Sequence, residues 1–191
     1  MGTATIVDRD TGYRYVAAAR ALASVSGSSN FTVRDVIAGA AGSRKSFYAS
    51  FGSKDDLLCE MFAEDCAIGA QMLAEMVDRH RLPRARLDAW IRGLFELMAA
   101  GEAGYVGVLV REHRRLAETR PAEIDSAVAP LVELIPVQEI AAARFVFHLT
   151  LATIHDVVVG RIADLDTTLD DLSKFCWSGS RPIKPLPVEK P

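Results

Sequence analysis

Four cations, Arg34, Arg44, Lys45 and Lys54, are interleaved with the hydroxyls of Thr32, Ser43, Ser46 and Tyr48 in one short stretch of the chain. Side chains of these types hold phosphate oxygens by charge and read base edges by hydrogen bonding. Acid–base chemistry has thinner material: Glu112-His113 and His155-Asp156 are adjacent pairs, and neither comes with a nucleophile, an orienting partner or a phosphate loop. His148 and His155 are seven residues apart, whereas a metal site on a helix wants ligands three or four apart or a supporting cysteine. No catalytic residue, metal site or cofactor is therefore expected. Cys59, Cys66 and Cys176 are an odd set without framework spacing, and the N-terminus lacks a basic-then-apolar leader, which points to a reducing cytoplasm.

Net charge is −3, an unfavourable balance for a polyanion partner until it is divided along the chain. Residues 1–58 carry seven basic against five acidic side chains, +2, and the remainder 15 against 20, −5. Attraction to phosphate is thus concentrated at one end, while the acidic bulk weakens indiscriminate binding. With 50% hydrophobic and 25% charged residues in 191, the chain can bury a real core. The most apolar stretch, 141–160, is interrupted by Arg144, His148, His155 and Asp156, so no membrane span is expected.

The elements that must position the cationic stretch are helical. Tyr15 to Val25 is alanine-rich and stops at the turn cluster Ser26-Gly27-Ser28-Ser29-Asn30. Thr32-x-x-Asp35 has capping-box form and opens a short amphipathic helix through Val33, Val36, Ile37 and Ala40. Ala41-Gly42 breaks it, Ser43 caps a third helix to about Phe51, and Ser53-x-x-Asp56 opens a long fourth one running to Pro83. Further helices are predicted from about Arg84 to Ala100, Tyr105 to Ala117, Pro121 to Pro136 and Val137 to Ile162, and from Thr168 to Trp177 with Leu169, Leu172 and Phe175 inward. Strand signals are weak throughout, and the four prolines after Ser178 predict an extended tail. The fold class is all-α.

A short supporting helix, a glycine-containing turn and a second short helix bearing basic and hydroxyl residues make a helix-turn-helix. On the second helix Phe47 and Phe51 share the inward face, which leaves Lys45, Ser46 and Ala49 opposite, with Arg44 and Tyr48 at the margins. Lys45 is the expected base contact, with Thr32, Arg34, Ser43, Arg44, Ser46, Tyr48 and Lys54 completing the DNA-binding set. The run from Thr32-Val33-Arg34-Asp35-Val36 through Ser43-Arg44-Lys45-Ser46-Phe47-Tyr48 to Phe51-Gly52-Ser53-Lys54-Asp55-Asp56-Leu57-Leu58 resembles the signature of TetR-like transcriptional regulators. It departs in placing glycine one position late in Ala40-Ala41-Gly42-Ser43, in Lys45 where the family commonly has glycine, and in Ala49-Ser50 where a basic or histidine residue is frequent.

The resemblance implies a helix-turn-helix domain over 1–58 and a helical effector-binding and dimerisation domain over 59–177, followed by the proline-rich tail 178–191. It further implies a repressor that binds palindromic double-stranded DNA as a homodimer and is released by a small-molecule effector. Trp90, Phe95, Met98, Tyr105, Phe145, Phe147 and His148 are the large or polarisable residues expected near a pocket, which would be mainly apolar. The all-round apolar segment Val137 to Ile162 and the helix after it are the expected dimer contact. Two other readings stay open on the residues: a helical bundle that binds or converts a small molecule without specific DNA readout, and an architectural DNA binder with a filled core.

Overall fold

The computed structural model describes residues 3–101 and 103–179. Among the described residues the regular structure is helical throughout: α1 (Thr3–Ser26), α2 (Val33–Gly39), α3 (Arg44–Ser50), α4 (Lys54–Asp78), α5 (Pro83–Ala100), α6 (Ala103–Thr119), α7 (Pro121–Glu133), α8 (Ile140–Val158) and α9 (Leu165–Gly179). The predicted tail lies, from residue 180 on, outside the described residues.

The first three helices form a small bundle around aromatic rings. Tyr15 of α1 meets Phe47 edge-on at 5.3 Å and Phe51 at 6.4 Å, over Val16, Val36 and Leu57, all buried. Each short helix starts on a side-chain cap. Thr32 accepts from the Asp35 amide while the Asp35 carboxylate takes the Thr32 amide, and Ser43 and Ser46 do the same for α3. Helices of seven residues are too short to persist alone, so these reciprocal caps and the aromatic core hold them.

Helix α4 runs from this head into the larger bundle and packs on α1, α5, α6 and α7, with α8 and α9 covering the far side. Close approach of α4 and α5 depends on Gly93, where a Cβ would stand 2.6 Å from Leu73 Cδ1 and 2.8 Å from Met76 Sδ. The indole N–H of Trp90 in α5 donates to the Leu131 carbonyl at 3.0 Å, capping a group that the end of α7 leaves without an intrahelical partner.

Two helix starts differ from the sequence reading, and so does one buried face. Helix α1 begins at Thr3, well before Tyr15. Gly12 and the charges Asp8, Arg9 and Asp10 hide its periodicity. Helix α9 begins at Leu165, because Asp164 accepts from the Thr167 amide at 3.1 Å and the Thr167 hydroxyl at 2.7 Å. Its buried stripe is Leu169, Leu172 and Cys176, so Phe175, predicted inward, is 68% exposed.

Helix α8 is long and apolar enough to cross a membrane by length and composition, yet it packs against α6, α7 and α9. Its outer face carries Phe145, 75% exposed, with Ile140 and Leu149 also in the open beside Phe175.

Candidate functional site

The turn between α2 and α3 explains the late glycine. Ala41, not Gly42, takes the left-handed conformation, at φ 49°, and the Gly42 amide closes the end of α2 on the Ile37 carbonyl at 2.9 Å. Gly42 is needed for a different reason. A Cβ there would stand 2.7 Å from Cε1 and Cζ of Tyr15 and closer still to its oxygen. That hydroxyl accepts from the Ser43 amide at 3.2 Å and lies 2.5 Å from Ser46 Oγ, so it ties α1 to the first turn of α3. Arg14 adds a second tie, donating to the Ala40 carbonyl at 2.6 Å.

With these ties in place, Arg34, Arg44, Lys45, Tyr48 and Ala49 are exposed on the outside of the helix-turn-helix, Tyr48 at 50%. The hydroxyls of Thr32 and Ser43 are exposed but engaged in their caps, and Ser46 is drawn into the Tyr15 network. Lys54 is turned inward. Its ammonium donates to the Ser29 carbonyl and sits 4.6 Å over the Phe31 ring, and burial lowers its pKa against the opposing pull of Glu112. The sequence reading sent this ammonium to phosphate. The apolar ring and carbonyl beside it give it a partner inside the chain instead.

Helix α6 clamps the head to the rest of the molecule. Glu112 accepts from the Ser29 hydroxyl at 2.5 Å, Arg111 donates to the Gly27 carbonyl at 2.6 Å, and Arg115 forks onto Asp55 at 2.7 and 3.1 Å. Glu112 and His113 therefore face different surroundings and form no acid–base pair. The other such pair is wide: His155 Nδ1 is 3.6 Å from Asp156 Oδ1, which Arg161 also holds at 3.0 Å.

Behind this clamp lies an apolar cavity of about 320 Å³ between α4, α5, α6, α7 and α8. Met98, Tyr105 and Phe147 line it. Trp90 is fully buried with its ring 6.4 Å from Phe147, and Phe95 is buried in the core. Phe145 and His148 line a shallower groove on the outer face of α8.

Of the cavity's polar groups, the sequence reading named Tyr105 and missed Asp65 and His113. Asp65 of α4 bonds Arg20 of α1 at 2.8 Å and accepts from the Tyr105 hydroxyl, which in turn accepts from Arg20 Nε at 3.3 Å. Burial opposes the Arg20 charge, but Asp65, Tyr105 and Glu64 outweigh it and hold the guanidinium ionised, while burial raises the Tyr105 phenol. His113 is the second polar group, 6% exposed, against Phe62 at 5.4 Å and Phe147 at 6.0 Å. Burial, with help from His148, pushes its imidazole down to about 4. The three cysteines are buried and none is in a disulfide, with Cys66 pushed up to about 12 and Cys176 to about 11, so at neutral pH they are thiols and poor nucleophiles. Among the described residues no three histidines, cysteines or carboxylates gather as a metal site.

The described residues thus form a capped helix-turn-helix joined by a long helix to a helical bundle with an apolar cavity. Residues 16–61 match the family described as bacterial regulatory proteins, tetR family. Solved structures agree on the fold. A TetR transcriptional regulator from Rhodococcus sp. RHA1 superposes with a TM-score of 0.69 at 16% identity, covering 89% of this chain and 95% of that one. A TetR family transcription regulator from Marinobacter aquaeolei VT8 does so with a TM-score of 0.60 at 17% identity, covering 91% and 97%. No curated protein sequence matches the chain. The chain is thus TetR-like in its helix-turn-helix and shares the fold of these regulators over 89–91% of its length.

Proposed function

We propose that this chain is a cytoplasmic transcriptional repressor without catalytic activity, which binds palindromic operator DNA as a homodimer and leaves it when a small, mainly hydrophobic effector enters the cavity. The observation that carries the reading is the exposed face of α3. Arg44, Lys45, Tyr48 and Ala49 project from a helix whose inner side is fixed by Tyr15, Phe47 and Phe51. A rigid helix with small and cationic side chains outward suits the major groove, with Lys45 on a base edge and Arg34, Arg44 and Tyr48 on phosphates. The hydroxyls of Thr32 and Ser43 stand at the two helix starts, where phosphate oxygens are favoured.

Dimerisation is supported by the open faces of α8 and α9, where Phe145 and Phe175 line one groove. An exposed apolar patch of that kind costs solubility unless a partner covers it. Effector release is supported by the Arg20–Asp65–Tyr105 network, which joins the cavity wall to α1 of the DNA-reading head. Any ligand that reorients Tyr105 or Asp65 alters the attachment of α1, and so the spacing of the two heads in a dimer.

Selection from a randomised duplex library, with sequencing of the bound fraction at two salt concentrations, tests the reading. The expected product is a palindrome with half-sites about 34–36 Å apart, one turn of DNA. Binding without sequence enrichment, lost uniformly as salt rises, would leave only a non-specific electrostatic contact.

A further inference from the structure

We propose that the effector is an uncharged, compact, mostly hydrocarbon molecule with one hydroxyl, and that this hydroxyl bonds Nε2 of His113. The inference rests on the sensor reading above and adds the chemistry of the ligand. Nε2 of His113 is buried, belongs to a side chain that lines the cavity, and has no hydrogen-bond partner among the described residues. A buried polar atom left unpaired is destabilising, and a ligand that supplies the missing bond recovers that cost on binding.

The remaining lining decides the charge. Phe62, Ile68, Met72, Leu94, Leu97 and Leu109 contribute only hydrocarbon and thioether. The one carboxylate on the wall among the described residues, Asp65, already serves Arg20 and Tyr105, so a cationic ligand would have to displace the guanidinium. An anion would lie near that carboxylate and would have to protonate an imidazole that burial and His148 keep neutral. A charged ligand thus loses its hydration without finding a free counter-ion among the described residues, a penalty that an alcohol or phenol avoids. The volume, about 320 Å³, stands near the lower end of the roughly 300–1,000 Å³ usual for small-molecule sites, which favours a one- or two-ring compound.

Three matched probes test this on the full chain: 2-naphthol, naphthalene and 2-naphthoate, followed by ligand fluorescence and by the ¹⁵N resonance of His113 Nε2. The expected result is that 2-naphthol binds roughly tenfold tighter than naphthalene and shifts the Nε2 resonance, while 2-naphthoate binds weakest. In His113→Phe the preference for naphthol over naphthalene disappears with naphthalene still bound, and in His113→Gln, which keeps a hydrogen-bonding group, part of it survives. Equal binding of naphthol and naphthalene by the wild type, or tightest binding of 2-naphthoate, overturns the inference and leaves the cavity as a ligand site. Failure of all three to bind overturns both the inference and the sensor reading.

Discussion

The phenol ring of Tyr15 occupies the space in which a side chain on Gly42 would begin, with Cε1 and Cζ 2.7 Å from the position a Cβ would take. One helix thereby dictates the residue type in a turn 27 positions later, and the recognition helix inherits its placement from that contact. Gly42→Ala should cost about 1–3 kcal/mol by overpacking a buried ring that cannot retreat. At Ala41, which already holds a left-handed φ of 49°, substitution by glycine should instead raise stability by up to about 1 kcal/mol. Denaturant titration of the two variants checks the pair. Equal tolerance of alanine at 42 would mean that Tyr15 does not fix the turn.

Arg20 carries α1 into the cavity network. Arg20→Ala leaves Asp65 without its ion-pair partner and should cost about 1–2 kcal/mol, a figure reduced for the partial exposure of both groups. Adding Asp65→Asn should restore part of that loss, and the double-mutant cycle reads the coupling directly. Strictly additive losses would show that the pair carries no interaction between head and bundle.

Acid should weaken the fold through His113. Its imidazole titrates near 4 in the folded chain against an ordinary 6.5, so between those values the unfolded chain takes up a proton that the folded chain refuses. Stability accordingly falls as pH drops through 6.5, by on the order of 2–3 kcal/mol at pH 4, and this contribution is flat above pH 7. Urea denaturation at a series of pH values should show the slope in the wild type and a flatter one in His113→Phe. Identical slopes would place the titration elsewhere.

Phe145 and Phe175 are predicted to sit at the dimer contact. A Phe145→Glu, Phe175→Glu double variant should scatter light as a folded monomer at micromolar concentration, and the wild type as a dimer. A wild-type monomer under the same conditions would remove the homodimer from the account.

Much of the fold was legible because its signals are local. Thr32 with Asp35 and Ser53 with Asp56 are caps whose partners lie three residues away, and Phe47 with Phe51 is a single helical turn. What stayed hidden depends on distance in sequence. The partner that explains Gly42 is Tyr15, and the partners that turn Lys54 inward are Ser29 and Phe31. The cavity followed the same rule. Met98, Tyr105 and Phe147 reach it, whereas Phe145 lies on the outer face of the same helix as Phe147, a distinction that an all-round apolar helix does not display. His113 was passed over because it was weighed as half of a Glu112-His113 pair. Its burial against Phe62 and Phe147 comes from packing of α6 on α4 and α8.

Sequence-specific reading by α3 is the centre of the account, and Lys45 is its most exposed commitment. The direct test is the affinity of wild type and Lys45→Ala for the selected operator and for a scrambled duplex of the same length, at one fixed salt concentration. Loss of a base contact predicts a drop of roughly 5- to 100-fold on the operator and little change on the scrambled duplex. An equal drop on both would make Lys45 a phosphate contact and contradict base readout by this helix.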